Sequence, residues 1–151
     1  MSKNMKTILS FMGEDHDRLD NIFKDFKNEN IDKNKAKNLF QEFKTELQRH
    51  IAWEEEILFL LFENKTGMSN AGPTAVMRTE HKQIKELLEK IRVNLANDNI
   101  HARDLENGLI EILTEHNNKE ESILYPWIDS SVSEKEKEKA FAEMKKLSSI
   151  M

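Results

Sequence analysis

His50-Ile51-Ala52-Trp53-Glu54-Glu55-Glu56-Ile57-Leu58-Phe59 is answered later in the chain by His116-Asn117-Asn118-Lys119-Glu120-Glu121-Ser122-Ile123-Leu124-Tyr125. Both stretches read His-x-x-x-Glu-Glu-x-Ile-Leu-aromatic. A His and a Glu four residues apart stand one above the other on a helix face. The flanking apolar residues decide whether that face is buried or wet. Phe40, Phe43, Leu47, His50, Glu54, Ile57 and Leu61 recur in steps of three and four, the seam of a helix turned toward a core. Leu105, Leu109, Ile112, His116, Glu120, Ile123 and Trp127 make the same pattern. The polar pair therefore takes core positions on both helices.

Two further seams complete the set. Met5, Leu9, Met12, His16, Leu19, Phe23 and Phe26 form one; Met77, His81, Ile84, Leu88, Ile91 and Leu95 form the other. The stretch Met12 to Leu19 lines up with Met77 to Ile84, so the chain repeats itself as two helical hairpins. Each carries a His on its first helix and a His with a Glu on its second. This predicts an all-α, up-down-up-down four-helix bundle with approximate two-fold symmetry.

The first helix should end near Asn28-Glu29-Asn30, with Asp32 capping the second. Gly67, Gly72 and Pro73 mark a loop. Asn97-Asp98-Asn99 ends the third helix, and Pro126 with Asp129-Ser130-Ser131 closes the fourth. Ser133 and Glu136 have the spacing of a capping box. They open a last amphipathic helix, about 133–151, with Phe141, Met144, Leu147 and Met151 on one stripe. That stripe packs on the outside of the bundle or serves as a dimer contact, so the expected state is a monomer or weak homodimer. The expected organisation is one domain over 1–151, with the bundle over about 5–130.

Composition removes several function classes. The net charge is -5, from 23 basic and 28 acidic residues, which argues against nucleic acid and polybasic membrane binding. There is no cysteine, so disulfides, thiolate metal sites and cysteine nucleophiles are excluded. Lys3 and Lys6 precede a short apolar run, but Gly13-Glu14-Asp15-His16-Asp17 ends it far too early for a signal peptide. No run approaches the ~18 apolar residues of a transmembrane span. A soluble, cytoplasmic protein is expected.

The seams put four histidines and two glutamates at similar height in one core. Each uncompensated buried charge costs on the order of 3–5 kcal/mol, against a total stability of about 5–15 kcal/mol. Protonated histidines could neutralise the carboxylates. A pair of cations satisfies all six groups at once and accounts for their clustering. Imidazole and carboxylate without sulfur suit iron, manganese, zinc or copper, and argue against magnesium and calcium. With Glu54 and Glu120 bridging, each ion has two histidines and two carboxylate oxygens. An octahedral ion then keeps positions for an oxo or hydroxo bridge and an exogenous ligand, which favours iron and a small diatomic or peroxide ligand.

With His16, His50-x-x-x-Glu54, His81 and His116-x-x-x-Glu120 in this order, the sequence resembles the hemerythrin-like, or HHE cation-binding, domain family over about residues 5 to 130. The resemblance implies a bundle around a non-haem di-iron centre that binds oxygen, nitric oxide or peroxide. His16 and His50 would hold one iron, His81 and His116 the other, with manganese or zinc as replacements. The oxygen-carrying members have a second histidine one turn after His81, where this chain has Lys85. They also have an aspartate five residues after the fourth-helix histidine, at the position of Glu121, which makes Glu121 the rival of Glu120. This ligand set is closer to the di-iron proteins of iron–sulfur cluster repair and to hemerythrin-like iron sensors. The repair proteins commonly carry an added N-terminal cysteine-containing domain, which is not expected here because these 151 residues hold no cysteine. Iron delivery or repair, and sensing through a protein partner, are therefore the alternatives.

Four neighbours have two readings each. Glu55 and Glu121 can orient histidines or stand as solvated charges. Tyr125 can donate to a bound ligand or serve as a redox-active phenol; packing at the end of the fourth helix is the expected role. Lys85 can enter the pocket, but snorkelling to solvent is expected. Trp53 is expected to pack between helices, and His101, in the turn before the fourth helix, to lie on the surface.

Overall fold

The computed structural model describes residues 6–150; the seam position Met5 and the stripe position Met151 lie outside the described residues. The helices are α1 (Ile8–Phe26), α2 (Lys33–Trp53), α3 (Phe59–Thr66), α4 (Pro73–Ala96), α5 (Arg103–Lys119), α6 (Tyr125–Ser131) and α7 (Glu134–Ile150). Two π-helical turns, Glu54–Leu58 and Glu120–Leu124, join α2 to α3 and α5 to α6 without a break. Among the described residues this gives four bundle rods and a fifth helix outside them. Phe26 at the end of α1 meets Phe40 in the first half of α2, and Phe11 near the start of α1 meets Trp53 at the end of α2; in the second hairpin Leu87 lies beside Gly108 and His81 beside His116. Neighbouring rods therefore run in opposite directions, as the hairpin repeat predicts.

Local chemistry sets the ends. Thr7 and Ser10 form a capping box at the start of α1, and the Asp32 carboxylate accepts from Asn34 N and Lys35 N at the start of α2. Gly67 ends α3 at φ 77°, a left-handed conformation that a side chain disfavours. Pro73 stands in the first turn of α4.

The π turns shift the seam in a way plain helical spacing misses. In each, the backbone closes on the fifth residue: Phe59 N–H bonds to Glu54 O, and Tyr125 N–H to Glu120 O. The extra residue advances every later buried position by one. Leu58 and Phe62 are buried where Ile57 and Leu61 were expected, and Leu124 and Ile128 where Ile123 and Trp127 were expected. Ile123 is 56% exposed. The turns also bring Phe59 and Tyr125 inward, both fully buried.

The core has two apolar clusters. One, around Phe23, Phe26, Phe40, Phe43, Leu88 and Leu109, fills the end holding the α1–α2 and α4–α5 turns. The other, around Met12, Leu58, Phe62, Met77, Leu124 and Ile128, fills the opposite end. The predicted polar seam residues form a layer between them. Helix α7 lies against the second cluster, burying Ala140 and Met144, and Trp53 Nε1–H donates to Met144 O and Ser148 Oγ, each at 3.0 Å.

Asp129 ties three elements together. Its carboxylate accepts from Ile8 N at 2.8 Å and Leu9 N at 3.0 Å, and lies 3.4 Å from the largely buried Lys137 Nζ of α7. It thus caps α1 from the end of α6. Replacing Asp129 with Ala should cost about 1–2 kcal/mol, the usual value of a lost cap. Urea unfolding of the variant against the parent measures this, and an unchanged midpoint would contradict the cap's role.

Candidate metal centre

Six polar side chains meet in the layer between the clusters. His16 comes from the middle of α1, His50 from the last turn of α2, His81 from α4 and His116 from the last turn of α5. Glu54 and Glu120 open the two π turns. All four histidines are buried, and both glutamates are 0% exposed. The geometry gathers Glu54, His81, His116 and Glu120 into one group and His16, His50 and Glu120 into another, with ligand atoms in each group within 4.8 Å of one another.

Every one of these histidines spends its Nδ1 on an outer carboxylate. The pairs are His16 with Glu121 (2.6 Å), His50 with Asp15 (2.7 Å), His81 with Glu55 (2.7 Å) and His116 with Glu80 (2.8 Å). Those contacts fix each ring with Nε2 aimed inward. Glu55 and Glu121 therefore face the back of a histidine, and Glu121, on the outer side of His16, is not among the central groups.

Asp15 and Glu80 escaped the sequence reading. A signal was there: an acid directly precedes the lone histidine in both hairpins, as Asp15-His16 and Glu80-His81. Each reaches the other histidine of its own hairpin, whereas Glu55 and Glu121 cross to the other hairpin. Cations hold the outer ring, with Arg18 on Asp15 and Lys119 on Glu80.

Inside the ring, Glu120 spans the layer. Its Oε1 lies 3.2 Å from His16 Nε2, and its Oε2 lies 3.1 Å from His116 Nε2. Oε2 is buried without a hydrogen-bond partner. Glu54 Oε1 lies 3.1 Å from His81 Nε2 and 3.9 Å from His50 Nε2. Tyr125 is not the end-of-helix packing residue expected from its position. Its hydroxyl lies 2.7 Å from Glu54 Oε2 and 2.9 Å from Glu120 Oε1, because the π turn places it over Glu120.

Without a cation the layer is electrostatically costly. Burial and the facing Glu120 push the Glu54 carboxyl up. Glu120 is held well below its ordinary range: burial works against this, and the close approach of Glu54, His116 and His16 overcomes it. Burial would lower His16 and His81, but their carboxylate partners outweigh it and push each up to about 9. His116 is raised for the same reason. Burial and the two carboxylates also push the Tyr125 phenol well up.

The remaining candidates lie outside the centre. Lys85 is exposed, close enough to Glu55 to help lower it, and does not enter the layer. His101 is not on the open surface. It is largely covered at the far end of the bundle, its ring 5.9 Å from that of Phe26 and its Nδ1 3.5 Å from the buried Glu106. Trp53 packs between helices as expected, beneath α7.

The sequence profile of the Hemerythrin HHE cation binding domain matches residues 7–128. The chain belongs to that family. It is 29% identical over 136 residues to an uncharacterized hemerythrin-like protein of Schizosaccharomyces pombe, covering 90% of this chain and 66% of that one. It is 36% identical over 90 residues to the iron-sulfur cluster repair protein YtfE of Escherichia coli O81, covering 54% of this chain and 41% of that one. The YtfE of Escherichia coli O157:H7 is 34% identical over the same length. The chain thus spans less than half the length of the repair proteins it matches. No solved structure matches significantly. Among the described residues, no helix is long and apolar enough to cross a membrane.

The donor set fits a cation: inward imidazole nitrogens, two buried carboxylates and an orphaned Glu120 oxygen, with no sulfur. Its pH behaviour follows. His16 and His81 rise from 6.5 to about 9, so the stability they lend the chelator-stripped protein is complete below about 6.5 and lost as pH climbs through about 9. Metal uptake needs neutral imidazoles, so affinity should instead strengthen over that interval. Melting temperatures of stripped and metal-loaded protein at pH 6.5 and 9 should therefore move apart. Parallel curves would contradict the assignment.

Proposed function

We propose that the chain holds two iron ions in this layer and uses an open position on them to bind or process oxygen, nitric oxide or peroxide. His16 and His50 hold one ion, His81 and His116 the other, and Glu54 and Glu120 bridge. The observation that carries this reading is the orientation of the four histidines, each pinned at Nδ1 by a carboxylate with Nε2 turned toward two fully buried glutamates. Six carboxylates surround four imidazoles; Arg18 and Lys119 pair with two of the outer carboxylates, and neither reaches the buried Glu54 and Glu120 at the centre. Two divalent or trivalent cations supply four to six positive charges there. Manganese or zinc fits the same donors.

Iron, when bound, supplies Lewis acidity and one-electron redox chemistry. The residues of the chain do the rest. Asp15, Glu55, Glu80 and Glu121 fix the tautomer of each histidine and make its inward nitrogen more basic. The apolar clusters on either side of the layer keep bulk water from the centre. Lys85, exposed where an oxygen carrier has a ligand, leaves the third helix with one donor and so leaves room for an outside molecule.

The likeness to proteins named for iron-sulfur cluster repair supports a second reading, delivery of iron to damaged centres. An optical titration separates the two. A new absorption band on adding nitric oxide or oxygen to the reduced protein supports ligand chemistry; iron lost readily to a mild acceptor, with no such band, supports delivery.

Protein from iron-replete cells should contain about two irons per chain, the number the paired donor set accommodates. Glu120→Ala removes a bridge and should lower occupancy of both positions, whereas Lys85→Ala should leave it unchanged. Metal analysis of the three proteins checks this. Equal iron in all three, or a folded parent unable to take up iron after reduction, would refute the reading.

A further inference from the structure

The two halves of the centre differ in the aromatic residue that reaches it. The aromatic that closes each repeat is Phe59 in one hairpin and Tyr125 in the other, and both are carried inward by the same π turn. Phe59 lies nearly parallel to His81, with ring centroids 5.8 Å apart, and offers no polar atom. Tyr125 places its oxygen among four candidate donors: Glu54 Oε2 at 2.7 Å, Glu120 Oε1 at 2.9 Å, and His16 Nε2 and His50 Nε2 each at 3.3 Å.

A phenol has one proton to give and room to accept two bonds, so four neighbours exceed what its hydrogen bonding uses. The spacing has another explanation. Donors bound about 2.0–2.2 Å from one ion at adjacent positions lie about 3 Å from each other. The phenol oxygen stands at that separation from all four groups, as Glu120 Oε1 does from His16 Nε2 at 3.2 Å.

We propose that Tyr125 is itself a metal ligand, its phenolate oxygen completing the ion held by His16 and His50. The phenol proton passes to solvent as the oxygen–metal bond forms, as happens to other weak acids on a cation. That ion then has five protein donors. The ion held by His81 and His116 has four and faces Phe59, so the open position lies on that side. This rests on the di-iron reading and assigns unlike roles to its two ions.

The test is optical and vibrational. Tyr125 is the only tyrosine in the chain, so any tyrosinate signal belongs to it. Ferric protein containing two irons should show a visible phenolate-to-iron charge-transfer band, and Raman excitation within that band should enhance phenolate ring modes. Ring-deuterated tyrosine should shift those modes in the unaltered protein. Tyr125→Phe should retain iron and lose the band. Iron-loaded protein without phenolate modes, or a band that survives in Tyr125→Phe, overturns the proposal and leaves the di-iron reading standing. Failure to bind iron at all, read from the metal content, overturns both.

Discussion

Glu54 and Glu120 face one another with no access to water, and the arrangement of the molecule follows from that contact. Two buried carboxylates at this range cannot both carry an uncompensated charge in a fold of ordinary stability. Histidines from all four bundle rods close around them, and an acid from each of the four rods stands behind one of those histidines. Charge alternates outward from the centre: carboxylate, imidazole, carboxylate, then the guanidinium of Arg18 or the ammonium of Lys119. Such a series holds its geometry only if the helices keep their register, so the polar layer fixes the bundle as firmly as the bundle fixes the layer.

The two-fold plan makes this economical. One hairpin supplies a lone histidine, an acid before it, and a His-x-x-x-Glu-Glu. Repeating the hairpin supplies the rest. The acid before the lone histidine works within its hairpin, while the second glutamate of each pair works across to the other. The centre is therefore incomplete in either half alone, and the contact between hairpins is chemical as well as apolar.

Much of this was legible in the sequence. His16, His50, His81 and His116 lie on three-and-four seams, and the structure buries all of them, with Glu54 and Glu120 beside them. Asp32, Gly67, Pro73 and the Ser133–Glu136 box mark ends as read. The π turns were not legible, because a run of apolar residues such as Ile57-Leu58-Phe59 offers a buried face under either turn geometry. That one extra residue misassigned Ile57, Leu61, Ile123 and Trp127 and concealed what Tyr125 touches. Asp15 and Glu80 were hidden differently: an acid beside a histidine in sequence points away from it on a helix, and only the neighbouring rod reveals its target. His101 lies in the turn before α5 as read, but it was expected on the surface until the fold set it against Phe26 and Glu106.

The polar layer also divides the hydrophobic core into two separate clusters. Apolar packing alone gives each end of the bundle its own reason to stay folded and does little to couple one end to the other. Ions gripped by all four rods would supply that coupling, since neither end could open without releasing them. With the layer filled, the ions would tie the two ends together more tightly than the charge series between the rods does alone.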